Sequence, residues 1–196
     1  MAIVYDYFGG LYINLTNKCS NRCEFCIRNF TDSLGNADSL VLKEDPTIEE
    51  VKQELRNWRV SDYEEVVFCG YGEPTERLPE LLELAAYIKK QYRRPIRINT
   101  NGQADLIWGR ETCPDLEGII DSVSVSMNEA DAEKYDNLCH SRYGIKAYDA
   151  VLKYLEDVRK HVPNVATSVV SGSLSQESIE ICRQKAEALG VSFRVR

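Results

Sequence analysis

An α/β fold, with six parallel strands curled into an open partial barrel, is predicted for this 196-residue chain. The prediction rests on short β-branched runs alternating with helical patterns, on cap residues at the boundaries, and on a polar face carried by several of the strands. Strand candidates are residues 11–16, 65–70, 95–100, 121–127, 164–171 and 191–195. Strands separated by helices pair in parallel, and right-handed crossovers curl the sheet in one direction.

The first helix is read over Thr47 to Trp58. Thr47 and Glu50 have capping-box spacing, and Ile48, Val51, Leu55 and Trp58 fall on one face. Pro79 opens the second, where its missing N–H costs nothing, and Leu81, Leu82, Leu84, Ala85 and Ile88 form the apolar side. Tyr148, Val151, Leu152, Leu155 and Val158 mark a third. Ile179, Cys182, Ala186 and Leu189 mark the last, which Gly190 stops.

The strand candidates carry the argument for a barrel. Ser122, Ser124 and Ser126 share one face of their strand, Arg97, Asn99 and Asn101 share one of theirs, and Ser192, Arg194 and Arg196 share one of the last. A parallel strand covered on both faces is apolar throughout. A repeated polar face is expected either to line a wet, ligand-holding interior or to belong to exposed edge strands. Arg97, Arg194 and Arg196 on that face suggest an anionic substrate. The segment 30–45 is long for a connection and is read as a lid over the site or as a mobile loop.

Composition is that of one globular domain over residues 1–196, with 43% hydrophobic and 28% charged residues. The net charge of −7 argues against general nucleic-acid binding, which needs clustered Lys and Arg. The N-terminus has neither a basic region nor a long apolar stretch, and no run of about 18 apolar residues occurs, so a cytoplasmic protein without membrane contact is expected. In a reducing compartment, seven cysteines point to metal binding or buried thiols rather than disulfides.

The strongest chemical feature is Cys19-Ser20-Asn21-Arg22-Cys23-Glu24-Phe25-Cys26, directly after the first strand candidate. Three thiolates within eight residues converge on one centre only if the chain wraps around it. Thiolates suit zinc or iron–sulfur clusters. A closed zinc site needs a fourth ligand, and none is near in sequence: the next cysteine is Cys69 and the histidines are His140 and His161. Three cysteines on a four-iron cluster leave one iron open to a cofactor or substrate. Cys69, Cys113, Cys139 and Cys182 form no ligand spacing and are read as single buried thiols.

With its aromatic residue before the third cysteine, this C-x3-C-x2-C spacing resembles the signature of the radical S-adenosylmethionine (radical SAM) superfamily. The resemblance covers nearly the whole chain and implies a six-stranded (β/α)6 partial TIM barrel. It implies a [4Fe–4S] cluster on Cys19, Cys23 and Cys26, with S-adenosylmethionine on the fourth iron and Phe25 near the adenine. Gly70-Tyr71-Gly72-Glu73-Pro74 resembles the family's Gly-Gly-Glu motif, which receives the cofactor ammonium; Tyr71 departs from it. Thr100-Asn101-Gly102 is similar to a cofactor-contacting triplet of several branches. Ser126 and Asn128 match positions that meet the ribose or carboxylate, Arg142 resembles an arginine that pairs with the methionine carboxylate, and Val169 and Ser171 are placed near the adenine. These positions lie at strand C-termini, where barrel sites are built.

The implied activity is reductive cleavage of S-adenosylmethionine to a 5′-deoxyadenosyl radical that takes hydrogen from a substrate. An electron donor such as flavodoxin or ferredoxin is implied, with a small molecule as substrate. An activating enzyme acting on a partner protein stays open at this point, as does a non-catalytic iron–sulfur or zinc-binding regulator. The phrases around Cys139 and Tyr148 and the closing Phe193-Arg194-Val195-Arg196 look like the small TatD family-associated radical SAM proteins.

Overall fold

The computed structural model describes residues 1–196. The chain opens with a hairpin of β1 (Val4–Tyr7) and β2 (Gly10–Ile13). Its turn is made by Phe8 and Gly9, both with positive φ (44° and 78°). Two left-handed residues give the tight turn whose twist matches the flanking strands, and glycine adopts that conformation at least cost. From there strands and helices alternate: α1 (Ile48–Leu55), β3 (Val66–Phe68), α2 (Leu78–Tyr92), β4 (Ile96–Thr100), α3 (Ala104–Trp108), β5 (Ser122–Ser126), α4 (Ala132–Cys139), α5 (Lys146–Val158), β6 (Asn164–Val169), α6 (Gln176–Ala188) and β7 (Ser192–Val195).

The seven strands form one sheet in sequence order, β1-β2-β3-β4-β5-β6-β7. β1 pairs antiparallel with β2, and every later pair is parallel. The expected six strands are all present, with a seventh, antiparallel strand added at the N-terminal edge. β1 and β7 are not paired with each other, so the barrel is open. Several strands are shorter than expected: residues 14–16 and 69–70 lie beyond the strands proper, although the N–H groups of Asn14 and Cys69 still donate to the carbonyls of Ile3 and Ile13, at 2.8 and 3.1 Å.

Local chemistry explains the helix boundaries. Thr47 Oγ1 accepts from the Glu50 N–H at 3.3 Å while the Thr47 N–H donates to Glu50 Oε2 at 2.8 Å, so two orphan groups at the start of α1 are satisfied reciprocally. That helix ends at Leu55, earlier than the periodicity to Trp58 suggested. Pro79 sits in the first turn of α2, one residue after its start, behind a 3-10 turn over Pro74–Arg77. Gly190, at φ +66°, follows α6 as expected of a helix stop.

The outer sheet face carries Leu11, Ile13, Phe68, Ile98 and Val125, all fully buried against the helices together with Leu81, Leu84, Ile88 and Leu155. The inner face is divided. On β1–β3 it carries Tyr5, Tyr12 and Val67, covered by Ala37 and Leu40 from the segment 30–45. That segment is therefore docked: Leu40 is fully buried, its carbonyl accepts from Asn14 Nδ2 at 2.7 Å, and its N–H donates to the Asp32 carbonyl at 2.6 Å. On β4–β7 the inner face stays polar. The register aligns Arg97 with Ser122, Ser122 with Asn164, and Ser126 with Ser168 and then Arg194. Ser122, Ser124 and Ser126 are half-buried, whereas Ser192, Arg194 and Arg196 on the open edge are exposed. The polar face is thus half-buried on the central strands β4 and β5 and exposed on the edge strand β7. No helix is long and apolar enough to cross a membrane.

Candidate functional site

Beyond the C-terminal ends of the parallel strands, the loop carrying Cys19, Cys23 and Cys26 leaves β2 and is held by neighbours on three sides. The N–H groups of Arg22 and Glu24 donate to the carbonyls of Cys139 and Leu138, at 2.9 and 3.1 Å, at the end of α4. The Arg142 N–H donates to the Ser20 carbonyl at 2.8 Å. Arg28 Nη1 donates to the carbonyls of Asn17 and Tyr71, at 2.9 and 3.1 Å, and so joins the cysteine loop to the segment after β3.

Gly72 shows how close these two segments come. A Cβ there would lie 2.3 Å from the Thr16 carbonyl oxygen and 2.4 Å from that of Lys18. Both are backbone atoms that cannot swing aside, so the second glycine of Gly-Tyr-Gly is demanded by contact with the entry to the cysteine loop. Gly72→Ala is therefore expected to displace that loop at a cost of about 1–3 kcal/mol. The paired readouts are the urea midpoint and the iron retained after reconstitution, both of which fall; an alanine protein equal to wild type in both rejects the contact as a constraint.

Glu73 organises the floor. It is 3% exposed, and its carboxylate accepts from the Thr75 N–H (3.1 Å), Thr75 Oγ1 (2.7 Å), Thr100 Oγ1 (2.7 Å) and the Asn101 N–H (2.7 Å). Three of these donors reach Oε1 and one reaches Oε2, so Oε2 retains accepting capacity. Burial raises the Glu73 carboxyl above its ordinary range despite these donors. A folded-state carboxyl that is harder to ionise makes stability fall as pH rises, from the ordinary glutamate range up to the raised folded value, because the unfolded chain releases its proton first. Glu73→Gln removes this slope. It also faces the Asn101 N–H with an amide or loses one hydroxyl bond, which costs about 1–3 kcal/mol. Urea midpoints of both proteins against pH test this, and parallel profiles reject it.

A buried polar network backs the loop. Gln103 is fully buried; its Nε2 donates to Asn21 Oδ1 (2.8 Å) and Tyr135 Oη (2.9 Å), and its Oε1 accepts from Ser141 Oγ (2.9 Å). Asn21 Nδ2 donates to Tyr135 Oη at 3.0 Å, and Asn101 Nδ2 donates to Ser20 Oγ at 2.7 Å. Gln103, Tyr135, Asn21 and Arg28 were not among the residues singled out from sequence. Asn21 is a spacer of the cysteine motif, the other three belong to no motif, and α4, which carries Tyr135, had no clear periodic signal.

The three thiols differ in surroundings. Burial, with Glu73 nearby, pushes Cys19 up to about 12, and burial also raises Cys26. A hydrogen bond with the Cys139 thiol, followed by burial, raises Cys23. No three metal-ligating side chains converge on one point. The expected convergence of the three sulfurs is thus absent as the side chains stand; the Cys23 thiol lies beside Cys139, and Cys19 accepts from the Asn21 N–H at 3.4 Å. The donor set nevertheless fits an iron–sulfur cluster: three half-buried thiols on one short loop, clamped by its backbone rather than by its sulfurs.

The other sequence candidates separate into two groups. Thr100 and Asn101 join Glu73 and the cysteine loop. Ser126 accepts from Arg196 Nη2 at 3.1 Å. Asn128, at φ +62°, donates to the Cys139 sulfur at 3.6 Å while its buried Oδ1 has no partner, and the buried Ser168 Oγ likewise has none. Two such oxygens at the ends of β5 and β6 suit a polar ligand. Phe25 packs at the edge of the main core. By contrast, the Tyr71 ring is buried in the inner aromatic cluster, with its hydroxyl on the Thr31 carbonyl. Gly70 abuts Asn14. Arg142 pairs with Glu76 at 3.2 Å and stacks on Tyr143. Val169 points into the outer core, and its carbonyl accepts from the Arg196 N–H at 2.9 Å; the exposed Ser171 donates its N–H to the Arg196 carbonyl at 2.6 Å. The Val169 side chain is therefore turned away from the inner face, since alternate residues of a strand face opposite sides.

The chain is similar in sequence and in fold to several known proteins. Over 167 residues the chain is 29% identical to the probable GTP 3′,8-cyclase of Thermococcus kodakarensis, covering 83% of this chain and 49% of that protein. Over 166 residues it is 28% identical to the tungsten-containing aldehyde ferredoxin oxidoreductase cofactor-modifying protein of Pyrococcus furiosus, covering 82% of this chain and 43% of that one. The chain thus spans about half the length of the curated relatives it matches. Among solved structures, methylornithine synthase superposes with a TM-score of 0.67 at 17% identity, over 95% of this chain and 52% of that one. The [FeFe]-hydrogenase maturase HydG gives 0.68 at 16%, over 95% and 42%. These similarities concern the fold. The model of the Radical SAM superfamily matches residues 13–183, which include the cysteine loop and every strand from β3 to β6, and the chain belongs to that superfamily.

Proposed function

We propose that this chain is the catalytic core of a radical SAM enzyme that binds one [4Fe–4S] cluster through Cys19, Cys23 and Cys26 and acts on an anionic small molecule. When bound, the cluster supplies the electron that splits S-adenosylmethionine into methionine and a 5′-deoxyadenosyl radical, which takes hydrogen from the substrate. The observation that carries this reading is the three-thiol loop latched to the strand C-termini through Glu73, Asn101 and Gln103.

The chain's own residues receive and orient the cofactor. Glu73 Oε2 and the backbone of Gly70, Tyr71 and Gly72 accept the ammonium. Asn101 holds the cysteine loop against β4. Ser126, Asn128 and Ser168 offer oxygens to the sugar and carboxylate, and Arg142 exchanges Glu76 for the carboxylate. Phe25 borders the base, with the backbone of Val169 and Ser171 opposite. Arg194 and Arg196 attract the substrate anion, whereas Arg97 is neutralised by Glu65, its Nη2 lying 2.7 Å from the carboxylate. Within the superfamily, the phrases around Cys139 and Tyr148 favour the TatD family-associated branch, and a reducing compartment with a flavodoxin- or ferredoxin-type donor suits the cluster.

Anaerobic reconstitution with iron and sulfide, followed by dithionite and S-adenosylmethionine, tests the proposal. Release of 5′-deoxyadenosine is the expected result. Protein with a full cluster that never releases it rejects the reading.

A further inference from the structure

A cavity of about 620 Å³ lies at the opposite end of the inner face from the cysteine loop. Its wall is the polar side of β4–β7, with Ser122, Ser124 and Ser192, and its floor is the α5–β6 and α6–β7 connections. Four cations line it, Arg97, Arg159, Lys160 and Arg194, against the single carboxylate of Glu65. In a chain of net charge −7, this concentration runs against the molecule's own sign.

The cations are not equivalent. Arg97 is committed to Glu65 through Nε and Nη2, at 2.7–3.1 Å. Lys160 is committed to Asp157 at 2.8 Å. Arg159 is held in place by a bond from Nη1 to the Leu189 carbonyl at 2.9 Å, which orients its guanidinium and leaves its charge unmatched. Arg194 has no carboxylate partner. Two uncommitted guanidinium groups, flanked by three hydroxyls, match the charge and the many acceptor positions of a phosphate dianion. A single carboxylate would leave one guanidinium unmatched.

From Ser122 at this end to Ser126 at the other is four strand residues, about 13 Å. We infer that the substrate is an elongated phosphate monoester, its phosphate anchored between Arg159 and Arg194 and its reacting carbon reaching up the serine-lined wall toward Ser126. The inference rests on the reading above in taking the phosphate to belong to the substrate of that chemistry.

The test is calorimetric titration of cluster-loaded protein with ribose 5-phosphate, inorganic phosphate and acetate, needing no turnover. Ribose 5-phosphate is expected to bind more tightly than inorganic phosphate, because its body meets the serine wall, and acetate least. Arg194→Glu and Arg159→Glu are each expected to weaken phosphate binding by about tenfold or more, while Lys90→Glu, the same charge change on the exposed side of α2, leaves it within about twofold. Melting temperature and iron content verify that each variant is folded. Equal binding of the two phosphates, equal loss in Lys90→Glu, or no binding by the wild type overturns the inference. Arginine-dependent phosphate binding by protein that never releases 5′-deoxyadenosine keeps the anion site and removes the radical reading. Release of 5′-deoxyadenosine without phosphate binding removes the inference alone.

Discussion

Cys19→Ala, Cys23→Ala and Cys26→Ala proteins are each expected to fold with stability within about 1 kcal/mol of wild type, yet to lose the brown cluster and its bound iron on reconstitution. The stability expectation follows from position. The three residues are half-buried on a loop that is tied down by backbone bonds from Arg22, Glu24 and Arg142, none of which involves a cysteine sulfur. The iron expectation follows from chemistry, since two thiolates cannot retain a cluster built for three. Cys139→Ala is the informative partner. Its thiol contacts Cys23, but it is fully buried beneath the loop. If Cys139 is packing and not a ligand, its alanine variant keeps full iron. Iron and sulfide analysis with visible spectra decides the matter: iron lost from Cys139→Ala as completely as from Cys23→Ala would show that the three-thiol assignment is wrong.

Gln103→Leu carries the second large effect. The substitution keeps the approximate volume of the side chain but removes donors to Asn21 and Tyr135 and the acceptor for Ser141. Several buried polar groups lose partners at once, which costs about 2–4 kcal/mol, and part of that loss falls on Asn21, between Cys19 and Cys23. The expected protein still assembles a cluster, but chelator strips its iron faster and its reduced-cluster EPR signal is shifted. Gln103→Glu keeps the acceptor for Ser141 and is expected to lie between wild type and the leucine variant. Val51→Ala supplies the comparison: it weakens the core under α1 by about 2 kcal/mol, remote from the loop. Were Val51→Ala to speed iron loss as much as Gln103→Leu, the network would be holding up the fold in general and not the cysteine loop.

Much of the scaffold was legible because its signals are local. Thr47 and Glu50 sit three residues apart and satisfy each other within one turn, so the start of α1 could be read without knowing what it packs against. Gly190 needs only its own positive φ to end α6. The hairpin of β1 and β2 was missed although Phe8-Gly9-Gly10 is a turn signal, because β1 is four residues long and shows little alternation. The segment 30–45 looked like an uncommitted loop because its anchor, Leu40, is buried by Tyr5 and Tyr12 from another part of the chain.

The sequence by itself determined the α/β alternation, the principal helix boundaries and the three-thiol loop, because caps, periodicity and ligand spacing act within a few residues of one another. Only the tertiary structure decided that the inner face is aromatic and filled on β1–β3 but polar on β4–β7. It alone joined Glu73 to Thr100 and Asn101, put Gln103 behind Asn21, and brought Cys23 beside Cys139. Those contacts join residues up to 116 positions apart, and burial forces each polar group to find a partner that no local pattern announces.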